Sequence, residues 1–147
     1  MKVNSISNNI NNINFKAKLS RIVKDDIYDY KWFLEQEFGK DSKICLTYQK
    51  KLTEIKKLCP NHTIYKKGAI DNYGTYSYDF VVKKGFGEQK PVGVKSFDAE
   101  DLYSYENLSR LSKFLKNLDE EEKYNAEFQR RMNYKRKKFF KKLLGLN

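Results

Sequence analysis

Long hydrophobic runs are missing from this sequence, and the residue types that most often carry chemistry are scarce. No apolar run exceeds three residues, which excludes a transmembrane helix and the apolar region of a signal peptide. The single histidine, His62, follows Pro60 without a nearby Ser, Cys or Asp motif, so we interpret it as a surface or turn histidine rather than a general base. The sequence therefore offers no catalytic constellation, and we expect a protein without enzymatic activity.

Only two cysteines are present, and their spacing argues against a bond between them. Cys45 and Cys59 are predicted to lie in one helix, where 14 residues separate them by roughly 21 Å. A disulfide needs Cα atoms within about 7 Å, so both thiols are expected to be reduced. One histidine cannot complete a metal site with them. We predict no metal and no cofactor, and a cytoplasmic location.

The positive charge is concentrated at one end of the chain. The 147 residues include 30 Lys and Arg against 19 Asp and Glu, a formal net charge of +11. Residues 130–147 contain eight basic residues and no acidic ones, which leaves 22 basic and 19 acidic residues in the first 129. The eight are Arg130, Arg131, Lys135, Arg136, Lys137, Lys138, Lys141 and Lys142. Abundant Lys, Asn, Ile and Tyr are also typical of AT-rich coding, so part of this basicity has an explanation other than function.

The length and composition fit one folded domain with additions at both ends. A chain of 147 residues that is 39% hydrophobic can bury a sizeable core. Residues 1–14 form an Asn-rich leader without periodicity, which predicts disorder or an extended arm. Residues 15–118 are predicted to form a single α+β domain, and residues 119–147 a basic amphipathic helix.

The first strand and the first helix are predicted close together. Apolar and basic residues alternate at 15–19, which indicates a half-buried strand that continues to Val23. Asp25 or Asp26 is then expected to cap a helix that ends at Gly39. The predicted apolar side of this helix consists of Ile27, Tyr30, Phe33, Leu34 and Phe38, with Trp32 near its boundary.

Three further helices are predicted from capping residues and from stripes, which are sets of apolar residues spaced to fall on one side of a helix. Ser42 opens the second, which Pro60 stops. Its stripe consists of Cys45, Tyr48, Leu52, Ile55 and Cys59. Asp98 is expected to cap the third, and Asp119 to Glu122 to begin the fourth, which Gly145 ends. The stripe of the third consists of Leu102, Tyr105, Leu108, Leu111, Leu115 and Leu118.

Three consecutive strands are predicted between the second and third helices. They cover residues 62–66, 72–84 and 90–95, and the glycine-containing turn at 85–88 joins the last two as a hairpin. Pro91 confines the last strand to an edge or an end. The predicted fold is thus an α+β domain with a small antiparallel sheet of about four strands, packed by helices in the order β-α-α-β-β-β-α-α.

Aromatic residues suggest two binding surfaces, each with a simpler alternative. Tyr76 and Tyr78 on a predicted strand could stack on single-stranded bases, although packing under the helices is the favoured interpretation. Near the end of the chain, four apolar residues alternate with lysines on a broad side of a helix, which suits a partner protein or an oligomer groove. They are Phe139, Phe140, Leu143 and Leu144.

Both ends of the chain resemble a loose group of small uncharacterised bacterial proteins. Those proteins also open with a polar segment followed by an F-K-A-K-L strand, which stands here at residues 15–19, and the ending at 140–145 is similar as well. The resemblance implies a bacterial cytoplasmic protein. The predicted strand and helix order is similar to RelE/ParE-type toxins, which implies a ribonuclease acting on messenger RNA or an inhibitor of gyrase. Residues 42–118 also share their element order with double-stranded-RNA-binding domains, although acidic residues at 96–101 replace the basic cluster of that family.

These observations rank three functions. The first is a non-enzymatic protein that binds an anionic partner through its basic C-terminal helix, with nucleic acid placed ahead of an anionic membrane surface. The second is a structural or protein-interaction module that uses the apolar side of the same helix for a partner protein or a homo-oligomer. The third is a RelE-like ribonuclease toxin.

Overall fold

The computed structural model describes residues 17–96 and 102–146. Its elements are β1 (Lys18–Leu19), α1 (Arg21–Phe38), α2 (Lys43–Lys57), β2 (His62–Ile70), β3 (Tyr76–Lys84), β4 (Glu88–Ser96) and α3 (Tyr105–Leu143). This order confirms the predicted α+β class. The leader predicted at residues 1–14 and the helix cap predicted at Asp98 lie outside the described residues.

The sheet is mixed rather than wholly antiparallel. Its strand order is β1-β2-β3-β4, and the predicted antiparallel pairing of β2, β3 and β4 is confirmed. The strand β1 instead runs parallel to β2, with Lys18 opposite Thr63 and Leu19 opposite Ile64. The two helices between these strands provide the long connection that a parallel pair needs. Pro91 lies on β4, which is at the edge of the sheet, as predicted.

The first helix begins earlier than predicted. The Ser20 side chain accepts a hydrogen bond from the Val23 backbone N–H at 3.4 Å, which makes Ser20 the N-cap in place of Asp25 or Asp26. The predicted continuation of the strand to Val23 is therefore wrong. The predicted helix end at Gly39 is confirmed, with a φ of 89° that favours glycine.

The two predicted C-terminal helices are one. Helix α3 runs for 39 residues without interruption, so the prediction of a new helix at Asp119 is wrong. The segment contains no Gly or Pro, and Glu and Lys are good helix formers in a helix interior. Lys123 and Asp119, one turn apart, form an ion pair at 3.0 Å across the predicted break.

One side of each element forms the core. On α2 the predicted stripe is confirmed for Tyr48, Leu52 and Ile55, whereas Cys59 is buried beyond the end of the helix at Lys57. On α1 the buried residues are Val23, Ile27 and Leu34, while Phe33 and Phe38, predicted on that side, are half exposed. The remaining core includes Ile64, Phe80 and Val82 from the sheet, and Leu108, Leu111 and Leu115 from α3.

The chain divides into two compact units. One ends at Lys116 and contains the sheet, α1, α2 and the beginning of α3. The other is Asn117–Asn147, which consists almost entirely of the rest of α3. The predicted domain boundary, between residues 118 and 119, lies close to this division.

Candidate anion-binding helix

All eight basic side chains predicted to bind an anion lie on α3 and are exposed to solvent. Six of them fall in two adjacent rows along the helix axis, because intervals of seven and four residues return to the same side of an α-helix. We call these rows the basic side. They are Arg130, Lys137 and Lys141, and next to them Arg131, Lys138 and Lys142. Each row spans 11 residues, or about 16 Å of helix.

Local carboxylates compensate little of this charge. Arg131 forms an ion pair with Glu127 at 2.6 Å, one turn away. Within residues 17–96 and 102–146, no carboxylate pairs with the other five side chains of the basic side. Such an exposed pair contributes about 0.3–0.5 kcal/mol and is readily exchanged for another anion. The basic side is therefore open to an external partner.

An apolar stripe runs along a different side of the same helix. It consists of Tyr124, Phe128, Met132, Phe139 and Leu143, whose side chains are 42–69% exposed. At about 100° per residue, the centre of the stripe lies about 120° around the helix from the centre of the basic side. Lys135 falls within the stripe and Arg136 at its border. Of the four apolar residues predicted to bind a partner, Phe140 and Leu144 lie about 100° further round than Phe139 and Leu143.

The end of the helix is fixed by a glycine motif. Gly145 has a φ of 68°, and the N–H of Leu146 donates to the carbonyl oxygen of Lys141 at 2.9 Å. The Gly145 N–H donates to the Lys142 carbonyl oxygen at 3.3 Å, which completes a Schellman arrangement. Gly145 as the predicted stop is thus confirmed. Lys141 and Lys142 lie in the last turn, where their positive charges interact favourably with the negative end of the helix dipole.

The tyrosines predicted to stack on bases contact each other and a lysine. The Tyr76 and Tyr78 rings meet edge to face, with their centroids 5.0 Å apart. The Lys66 ammonium lies 4.2 Å from the centroid of the Tyr78 ring, so a base would have to displace a cation–π contact on that side. Tyr76 is about half exposed. The role of this pair in stacking bases stays a prediction.

A polar cluster that the sequence did not suggest connects three elements with the residues before α3. Asp26 Oδ2 accepts hydrogen bonds from Lys66 Nζ at 2.9 Å and from the Tyr103 hydroxyl at 2.7 Å. The Tyr48 hydroxyl donates to the Tyr103 carbonyl oxygen at 2.8 Å. Burial, and then the Asp26 carboxylate, raise the pKa of Tyr103, which keeps its hydroxyl protonated as a donor. This cluster joins α1, α2, β2 and the residues before α3.

A second cluster joins α2 to α3. Glu54 accepts from Lys116, from Lys51 at 3.0 Å and from Ser112 at 3.2 Å. The hydrogen bonds from Lys116 and then Lys51 lower the pKa of Glu54 to about 2. The carboxylate therefore stays ionised, and no step of acid-base chemistry near neutral pH is suggested for it.

The described residues contain little that could hold a metal ion or perform catalysis. Among residues 17–96 and 102–146, no three His, Cys, Asp or Glu side chains converge as metal ligands. His62 is buried rather than on the surface, and its Nδ1 lies 3.2 Å from the Pro60 carbonyl oxygen. Cys59 Sγ donates to the Leu115 carbonyl oxygen at 3.1 Å, and both cysteines are free thiols. The α3 helix thus remains the principal candidate site.

Comparison with protein-family models, with curated proteins and with solved structures found no match to this chain. The resemblances to bacterial proteins, to RelE/ParE-type toxins and to RNA-binding domains therefore stay predictions. In the part of the chain that the structure describes, none of the helices has the length and apolar character required to cross a membrane.

Proposed function

We propose that this protein binds nucleic acid through the basic side of α3. The observation that carries the proposal is the alignment of six exposed cations in two rows about 16 Å long. A nucleic acid strand presents regularly spaced phosphates, and lysine and arginine side chains neutralise them with release of counterions. A straight double row of cations suits a linear polyanion better than it suits a small anion.

The apolar stripe is compatible with nucleic acid binding. The basic side is centred about 120° away from it around the helix. Phosphates can therefore occupy the basic side while the centre of the stripe stays clear of the nucleic acid. An amphipathic helix at a membrane surface also carries its cations on the polar side, so a membrane surface is the alternative partner that experiment must separate.

The proposal predicts how strongly the affinity for nucleic acid depends on salt concentration. If all six cations of the basic side contact phosphates, log K should fall with log salt with a slope of about −5 for duplex DNA and about −4 for a single strand. Fluorescence anisotropy with labelled DNA and RNA, titrated at several salt concentrations, measures this slope. Removal of residues 130–147 should weaken binding at least a hundredfold at low salt and bring the slope near zero.

Two outcomes would overturn the proposal. The first is unchanged affinity after the deletion, and the second is a slope near zero for the full chain. Sedimentation with vesicles that contain anionic phospholipid separates the membrane alternative. Vesicle binding in the absence of nucleic acid binding would assign the basic side to a membrane surface instead.

A further inference from the structure

The outward side of α1 has an unusual composition for a helix surface. Ile22, Tyr28 and Trp32 are 63%, 72% and 58% exposed, although each could contribute to a core. Asp25 and Asp29 lie among them and are also exposed. We call these five residues the acidic aromatic face. It lies opposite the side that α1 buries, which consists of Val23, Ile27 and Leu34.

Folding of the domain does not explain this face. The core is complete without Tyr28 and Trp32, and large apolar groups exposed together on a surface usually mark a binding site. The neighbouring Asp26 is engaged by Lys66 at 2.9 Å. Asp25 and Asp29, by contrast, have no ion-pair or hydrogen-bond partner among residues 17–96 and 102–146. The face therefore presents apolar surface together with two carboxylates that form no ion pair in this part of the chain, while Arg21, one turn before Asp25, adds one positive charge on the same side.

Charge distinguishes α1 from the other helix beside it. Helix α1 contains five carboxylates and three basic residues, whereas α2 contains five lysines and one glutamate. A basic partner is thus attracted to α1 and repelled by α2. The apolar stripe of α3 is a partner of this kind, because it carries Lys135 within it and Arg136 at its border.

We infer that the apolar stripe of one copy of the protein packs on the acidic aromatic face of a second copy. The apolar side chains of both surfaces are exposed to solvent. Their lengths agree: Ile22 and Trp32 are separated by about 15 Å of helix, and Phe128 and Phe139 by about 16 Å. Lys135 and Arg136 supply the positive charge that Asp25 and Asp29 attract.

This contact goes beyond the proposed nucleic acid binding and does not depend on it. The row of Arg130, Lys137 and Lys141 lies about 180° around α3 from the centre of the stripe, so self-association leaves that row accessible, whereas the second row borders the stripe. Two copies would then present two basic helices, and the longer array would bind one nucleic acid strand more tightly than a single helix can.

Trp32 is the only tryptophan in the chain and belongs to the acidic aromatic face, so its fluorescence reports on the proposed contact directly. The emission maximum and acrylamide quenching of the full-length protein can be measured from low micromolar to several hundred micromolar, with sedimentation velocity on the same samples. As the protein associates, the emission should shift to shorter wavelength and quenching should fall. The double variant F139S/L143S should weaken association at least tenfold and remove both changes.

A control and a charge exchange make the test specific. The matched variant F140S/L144S removes two equally exposed apolar residues outside the stripe and should associate like the unchanged protein. D25K/D29K should weaken association, and adding K135E/R136E to it should restore association. All these side chains are exposed, and the far-ultraviolet circular dichroism of each variant checks that it is folded.

Several results would overturn the inference. They are a monomer at the highest concentration, association without a change in Trp32 fluorescence, an equal loss in F140S/L144S, and failure of the charge exchange to restore association. Self-association through the stripe and nucleic acid binding through the basic side can be tested separately. Nucleic acid affinity measured below the concentration at which sedimentation detects association should be the same for F139S/L143S and for the unchanged protein.

Discussion

The substitution D26N tests whether the Asp26 cluster holds the first unit together. The change removes the negative charge that accepts hydrogen bonds from Lys66 and Tyr103 at 2.9 and 2.7 Å. The side chain of Lys66 is only 15% exposed, so its ammonium cannot be fully hydrated in compensation. Breaking a fully buried pair costs about 3–5 kcal/mol, and since Asp26 is 30% exposed we expect about 2 kcal/mol. For a chain of this size that corresponds to a fall in Tm of about 6 °C.

Urea unfolding followed by circular dichroism measures this loss, and a double-mutant cycle assigns it. K66M keeps an aliphatic side chain of similar length and removes the charge. The double variant D26N/K66M should lose less free energy of unfolding than the two single variants lose together, by about 1 kcal/mol or more. Additive losses, or a cost below about 0.5 kcal/mol for D26N, would refute the assigned role of the cluster.

Two further predictions concern stability. Because the pKa of Glu54 is lowered to about 2, its ion pairs with Lys116 and Lys51 stabilise the fold above pH 4.5 and lose that contribution as the pH falls towards 2. The protein should therefore lose up to about 1 kcal/mol more than E54Q between pH 5 and pH 2, as measured by urea unfolding, and equal losses would count against these pairs. A Cβ at Gly68 would come within 2.6 Å of the Tyr76 hydroxyl oxygen, at the end of a half-exposed side chain that can turn away, so G68A should gain less than the ~0.5–1 kcal/mol that Ala gives over Gly at an open strand position. The gain should be larger in a Y76F background, and an equal gain in both backgrounds would show that the Tyr76 hydroxyl does not oppose the substitution.

Local patterns were enough to predict much of the fold. Alternation along β3 and the stripe on α2 predicted these elements, because each depends on neighbours within a few residues. The parallel pairing of β1 with β2 could not be predicted in this way, since Leu19 and Ile64 are 45 residues apart in the sequence. The acidic run at Asp119 was misread because such a run fits a helix start and a helix interior equally well.

The candidate site was partly visible in the sequence. Charge counting located the basic helix, and the intervals between Arg130, Lys137 and Lys141 could also have revealed the rows of the basic side. The outward position of Trp32 depended on which side of α1 is buried. The cap at Ser20 and the burial of Val23 determine that side, and both were missed in the sequence. The contact between Asp26 and Lys66 joins residues 40 positions apart and left no local signal.

The central claim is that position on α3, rather than net charge, gives nucleic acid binding, and two matched triple variants test it most directly. R130Q/K137Q/K141Q removes one row of the basic side, and K43Q/K50Q/K57Q removes the same charge from an exposed row of α2. Their duplex DNA affinity should be measured by anisotropy across a range of salt. The α3 variant should lower the salt slope by about 3 and weaken binding at low salt at least tenfold, while the α2 variant should bind almost normally. Equal losses in both variants, or a larger loss in the α2 variant, would contradict the claim.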